Sequence, residues 1–158
     1  MNLERDEFYM SKALALAQRA FDALEVPIGC VIVQNDEIVG EGFNLRNSMK
    51  NTLYHAEILA INQASRRIGD WRLEDCCIYV TVEPCPMCAG AILQARLPRL
   101  VYGAASPKAG AAGSVVNLLS NPGFNHRVEV AADVLGAECA GLVSRFFREV
   151  RAQLPNEN

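Results

Sequence analysis

Apolar side chains recur at Met10, Ala13, Leu14, Ala17, Phe21 and Leu24, the spacing of one helical face. They predict a first helix from Leu3 to about Leu24, broken by "VPIG". "CVIVQNDEIVGEGF" then reads as two strands around a turn at Asn35-Asp36. The polar, aperiodic "NLRNSMKNT" predicts a loop. "HAEILAINQASRR" returns to helical spacing through Ile58, Leu59 and Ile61. "CCIYVTV" is a short apolar strand, and "PCPMCAGAILQA" opens with proline before turning helical, as expected of a first turn. "RLVYGA" predicts another strand, "ASPKAGAAGS" a loop, "SVVNLLS" a short helix and "RVEVAA" a further strand. The closing helix carries Leu135, Cys139, Leu142, Val143, Phe146, Phe147 and Val150 on its repeat. Helices alternating with strands predict an α/β chain whose sheet is covered on both faces.

Composition narrows the class. The chain has 158 residues, 51% of them hydrophobic, which suits one domain with its own core over residues 1–158. Fifteen Lys and Arg against eighteen Asp and Glu give a net charge of -3. That argues against a non-specific nucleic-acid coat, although a basic patch around one site is compatible with it. No apolar run has membrane-spanning length, and the start "MNLERDEFYM" is acidic rather than signal-like, so the expected location is cytoplasmic. Of six cysteines, Cys30, Cys76, Cys77 and Cys139 sit in apolar or helical contexts and read as small buried side chains.

Cys85 and Cys88 differ: a Cys-x-x-Cys at a helix start lets two thiolates face one point, favoured by the free amides of the first turn. His55 arrives from another helix start, making three candidate ligands of the catalytic zinc type. Glu57, two residues on, faces the same pocket as a free carboxylate able to move protons. Cys85 and Cys88 alone would also suit a redox pair or half of a structural zinc site. The redox reading leaves His55 and Glu57 without a role, and the structural site lacks an obvious fourth ligand, a place that His126 could in principle take. His126 is expected to hydrogen-bond in the core or line the substrate mouth.

"HAEI" with "VEPCPMCAGAI" resembles the zinc-dependent cytidine and nucleobase deaminases, a signature that serves as the general example of its class. "EVPIGCVIV", "GEGFN", "GAAGS", "NHRVEV" and "CAGLVSRFFRE" extend the resemblance over nearly the whole chain, most closely to the bacterial tRNA adenosine deaminase family. The resemblance implies a cytidine deaminase-like, three-layer α/β/α sandwich with a mixed five-stranded sheet. It implies one zinc ion per chain on His55, Cys85 and Cys88, with Glu57 as proton shuttle. It implies hydrolytic conversion of adenosine to inosine at wobble position 34 of a tRNA anticodon, by attack of zinc-activated hydroxide at C6. It places Asn44 on the base and ribose and Ile28 against the base. It also implies a homodimer; the small residues of "CAGAILQA" suit close packing between chains or equally within one.

Phosphate contacts to an anticodon stem-loop are expected from among Lys108, Arg127, Arg145, Arg148 and Arg151, and stacking from Phe146-Phe147, with Phe147 turned outward. Two departures stand out. Relatives commonly carry "DPK" after "YGA"; here it is "SPK", which puts Ser106 where an aspartate would read the neighbouring ribose. Tyr54 replaces a small residue before His55 and is expected to narrow the mouth. A free-base or nucleoside deaminase shares the same metal motif, and a structural zinc protein would keep the metal without releasing ammonia.

Overall fold

The computed structural model describes residues 2–153. The first helix, α1 (Leu3–Asp22), is capped by Asn2, whose side-chain oxygen accepts from the Arg5 N–H at 3.1 Å. It stops short of Leu24, which takes a left-handed φ of 60°. β1 (Gly29–Gln34) and β2 (Glu37–Phe43) make the expected hairpin. Its turn residues Asn35 and Asp36 have φ of 49° and 62°, the mirror-image turn that matches the twist of paired strands. There follow α2 (Ala56–Ile68), β3 (Cys76–Val82), α3 (Pro86–Gln94), β4 (Arg99–Ala104), the short β5 (Glu129–Ala131) and α4 (Gly136–Gln153).

The sheet is five-stranded and mixed, in the order β2-β1-β3-β4-β5. β1 is antiparallel to β2 and β3, whereas β3, β4 and β5 run parallel. Strand alternation divides the core. Cys30, Ile32, Ile78, Val80, Leu100 and Tyr102 face α2 and α3; Val31, Val33, Tyr79 and Val101 face α1 and α4. The result is the expected cytidine deaminase-like α/β/α arrangement.

Beneath α1, Arg99 grips Asp6 through two nitrogens at 2.8 Å each, and the Tyr79 hydroxyl donates to the same carboxylate at 3.0 Å. This network ties α1 to β3 and β4. The expected helix at "SVVNLLS" is absent. The Asn117 side-chain oxygen accepts from the N–H groups of Leu119 and Ser120, and the Leu118 N–H donates to Ala111 at 3.0 Å. Those bonds, with a bridge between Ala112 and Asn117, commit the backbone to turns and a long-range pairing.

Candidate active site

Two helix starts meet at the end of the sheet. His55 is the N-cap of α2 and Cys85 the N-cap of α3, yet neither side chain caps its helix. Each side chain instead turns toward the other. His55 Nδ1 lies 3.7 Å from Cys85 Sγ and 3.5 Å from Cys88 Sγ. The three donor atoms all lie within 4.8 Å of one another. Tetrahedral zinc with ordinary Zn–N and Zn–S bonds requires N···S edges of about 3.5 Å, so this donor set fits the ion in both chemistry and spacing.

The start of α2 is set by close packing on β2. A Cβ on Gly40 would stand 2.3 Å from the Ala60 carbonyl oxygen, and one on Gly42 would stand 2.3 Å from that of Ala56. Ala56, Ala60 and Ala64 form the matching helix face, each fully buried. The glycines of "GEGF" therefore let α2 lie directly on the strand, with Ala56 held between His55 and Glu57.

Electrostatics separate the groups. A hydrogen bond from Cys88, reinforced by His55, pulls the Cys85 thiol down to about 4, while the Cys88 thiol is pushed up. The hydrogen bond to Cys85 raises His55 above its ordinary value. Glu57 is 4% exposed, and burial raises its carboxyl despite bonds from its own N–H and from Cys88. Burial that favours the neutral acid is one way a carboxyl is fitted for general acid–base work.

These groups open on a cavity of about 170 Å³ lined by His55, Glu57, Cys85, Asn44, Ile28 and Ser106, among others. Asn44 is buried and fixed: its amide donates to the Val26 carbonyl at 3.2 Å, and its oxygen accepts from the Arg46 N–H at 3.2 Å. Ile28 is half-buried on the cavity wall. Lys108 is exposed in the loop that carries Ser106 but does not line the cavity. Phe147 and Arg148 are exposed on α4, also outside it. Phe146 packs inward against Phe21, and Arg145 stacks over Phe21 at 4.5 Å, so that arginine is already engaged within the chain. Tyr54, half-buried directly before His55, does not line the cavity itself; its carbonyl accepts from the Leu45 N–H at 3.0 Å, which ties it to the 44–54 loop. His126 bonds to the Leu97 carbonyl at 2.9 Å, the first of its two expected roles.

Three residues escaped sequence reasoning. Arg46 lines the cavity mouth. Glu25 is buried and accepts from the Asn47 and Ser48 N–H groups and the Ser48 hydroxyl, at 3.2, 2.5 and 2.8 Å. Glu83 is buried in the cavity wall and accepts from the loop beyond β4. The one sequence signature of the two glutamates is an acid in an otherwise apolar stretch, in "LEVPIG" and "VTVEPC"; Arg46, in a polar loop, carries none.

A mixed five-stranded sheet with helices on both faces, and a His–Cys–Cys cluster beside a buried glutamate where two helices begin, define a deaminase of cytidine deaminase-like fold. The family model of MafB19-like deaminases matches residues 4–151. The tRNA-specific adenosine deaminase of Bacillus subtilis is 47% identical over 149 residues, covering 94% of this chain and 92% of that protein. The chain belongs to the family of tRNA-specific adenosine deaminases. A structure from a study of A-to-I editing by tRNA:A34 deaminases superposes with a TM-score of 0.82 at 38% identity, covering 85% of this chain and 98% of the other. The guanine deaminase of Nitrosomonas europaea shares the fold alone, with a TM-score of 0.73 at 21% identity over 89% of this chain and 83% of the other.

Proposed function

We propose that this enzyme hydrolytically deaminates adenosine to inosine at wobble position 34 of a tRNA anticodon. The observation that carries the reading is Glu57: a buried carboxyl beside three metal-type donors, at a cavity walled by Asn44 and Ile28. The tRNA substrate is supported by the relatives' own names.

His55, Cys85 and Cys88 would hold one zinc ion, which when bound supplies a hydroxide nucleophile from water near neutral pH. The chain's own residues do the rest. Asn44, locked by its two hydrogen bonds, orients the base and ribose, and Ile28 packs on the base. Glu57 accepts the proton that water releases and delivers it to purine N1. Once hydroxide has added to C6, Glu57 takes the proton of that new hydroxyl and gives it to the amine; the C6–N bond breaks, the oxygen stays as a carbonyl, and one water has entered for one ammonia released. Such general acid–base work is worth about 100- to 10,000-fold. An anticodon base is already unpaired, so turning it into the cavity requires less energy than extraction from a duplex.

Lys108 and Arg148 serve as phosphate contacts and Phe147 as a stacking surface on this reading, with Ser106 facing the neighbouring ribose. The active unit is a homodimer of single-domain chains working in the cytoplasm; of the expected domain over residues 1–158, residue 1 and residues 154–158 lie outside the described residues. Among the described residues, no helix is long and apolar enough to cross a membrane.

The deciding experiment is incubation with total tRNA, digestion to nucleosides and measurement of inosine, with free adenine, guanine and cytosine assayed in parallel. Inosine in tRNA is expected. Turnover of a free base without tRNA inosine would replace the reading with a small-molecule deaminase. Sedimentation at micromolar concentration should show a dimer, and monomer alone would reject that part.

A further inference from the structure

Glu83 has no part in the proton transfer, yet it is 3% exposed and lines the cavity. Its carboxylate accepts from the N–H groups of Ser106 at 3.1 Å, Ala112 at 3.0 Å and Ser114 at 3.1 Å, and from the Ser114 hydroxyl. Among the described residues no lysine or arginine pairs with it; the loop's own donors are its partners. The main chain repeats the attachment. The Glu83 N–H donates to the Ala104 carbonyl and the Ala111 N–H to that of Pro84, both at 2.8 Å. Gly110 lies so close that a Cβ there would stand 2.3 Å from the carboxylate carbon. The loop is thus wrapped around a single buried anion. An ionised acceptor strengthens each of these bonds, and opening the loop would strand the charge without partners.

Two residues of this loop, Ser106 and Ala109, line the cavity. On the other side, Glu83 is followed directly by Pro84 and Cys85, so one short segment carries both the loop's anchor and a metal-type donor. We propose that Glu83 is a positioning residue for substrate recognition: its buried carboxylate gathers residues 106–114 into the cavity wall and fixes where Ser106 meets the nucleotide. Glu83 acts through the loop and not on the reacting atoms. The substrate named here rests on the tRNA reading above.

Glu83→Gln tests it, because the amide keeps the size but turns an NH2 toward backbone donors. Three quantities are read on the zinc-loaded full chain: zinc content, hydrogen exchange by mass spectrometry, and kcat and KM on an anticodon hairpin. Exchange should quicken over residues 104–117 and nowhere else, with zinc retained. KM should rise about tenfold while kcat stays within about threefold, the pattern of lost binding rather than lost chemistry. Unchanged exchange overturns the proposal, as does a fall in kcat at constant KM. Exchange quickened throughout the chain with loss of zinc also overturns it, since Glu83 would then be a fold residue. Should Glu83→Gln fail to fold, Ser114→Ala removes one bond from the loop side. It should give the same local exchange and a KM rise of about threefold; no change in either overturns the proposal. A parent that makes no inosine from the hairpin refutes the tRNA reading instead, and the exchange pattern alone then upholds or overturns the clamp.

Discussion

Replacing Gly42 by alanine should move the start of α2 and with it two of the four groups of the site. The added Cβ would stand 2.3 Å from the Ala56 carbonyl oxygen and 2.9 Å from the Ala60 nitrogen. Non-bonded atoms settle at about 3.5 Å, so strand and helix must part by about 1 Å. Those two atoms are backbone, and the third near atom, Leu59 Cβ at 2.9 Å, is fixed to it, so none has a rotamer to turn away. Ala56 lies between His55 and Glu57, so its displacement is theirs. Two effects oppose each other. Alanine in a strand normally gains about 0.5–1 kcal/mol over glycine, whereas forcing a methyl into a filled interface costs about 1–3 kcal/mol. The second wins, and a net loss of about 1–2 kcal/mol is expected. A misplacement of about 1 Å at a reacting group lowers rates by about 100-fold, so activity should suffer more than stability. The assay is kcat/KM on the anticodon hairpin, with zinc content and Tm on the same preparation. Gly141→Ala is the control: it lies exposed within α4 with nothing near its Cβ, and should gain slightly in Tm with unchanged activity. A Gly42→Ala enzyme with full zinc and kcat/KM within about threefold of the parent would refute the view that this close approach sets the site.

Four further outcomes are expected. Cys88→Ala should remove both metal and activity, as checked by metal analysis; full zinc occupancy would exclude Cys88 as a ligand. Glu57→Ala should keep zinc but lose at least about 100-fold in kcat, and turnover within about tenfold of the parent would contradict the shuttle. Hydrogen bonds from Arg99 lower the Asp6 carboxyl, with Tyr79 adding to the effect against burial, so its contribution to stability is present above the unfolded pKa of about 3.9 and is lost as pH falls through the lower folded value. Asp6→Asn should therefore destabilise by about 3 kcal/mol at neutral pH, and the gap to the parent should narrow in acid unfolding titrations; a gap independent of pH would reject the charge as its source. Ser106→Asp should strengthen the preference for an RNA hairpin over its DNA counterpart by about 1 kcal/mol in relative kcat/KM, and an unchanged ratio would show that Ser106 does not read the ribose.

The parts of this molecule legible in the sequence are those fixed by neighbours along the chain. The hairpin follows from Asn35-Asp36 between alternating strands, and α3 begins at Pro86 as expected. The His55, Cys85, Cys88 and Glu57 set was legible because each pair sits within one turn of a helix start. What failed depended on distant partners. "SVVNLLS" has helical composition, but Leu118 pairs with Ala111 and Val128 donates to Leu119 at 3.0 Å, so tertiary bonds override propensity. The roles of Glu25 and Glu83 could not be read at all, because each is defined by a loop that folds back from more than twenty residues away.

Three buried glutamates, two of which line the cavity, show how one residue type is given opposed tasks. Glu25 receives three hydrogen bonds from the 44–54 loop and Glu83 four from the 106–114 loop. Burial works against ionisation of Glu83, but bonds from Ser114, Ser106 and Ala112 outweigh it and hold the carboxyl below its usual range. Glu57 is as deeply buried, but its own N–H and the Cys88 thiol do not offset the loss of solvent, and its carboxyl is raised. If both cysteines bind metal as thiolates, the Cys88 proton is gone and Glu57 retains its own N–H alone. Glu83, saturated with donors, holds a wall in place and stays charged. A carboxyl deprived of donors binds and releases a proton readily. The number of N–H groups aimed at Glu83 and at Glu57, more than their depth in the protein, therefore separates the group that shapes this cavity from the one suited to chemistry within it.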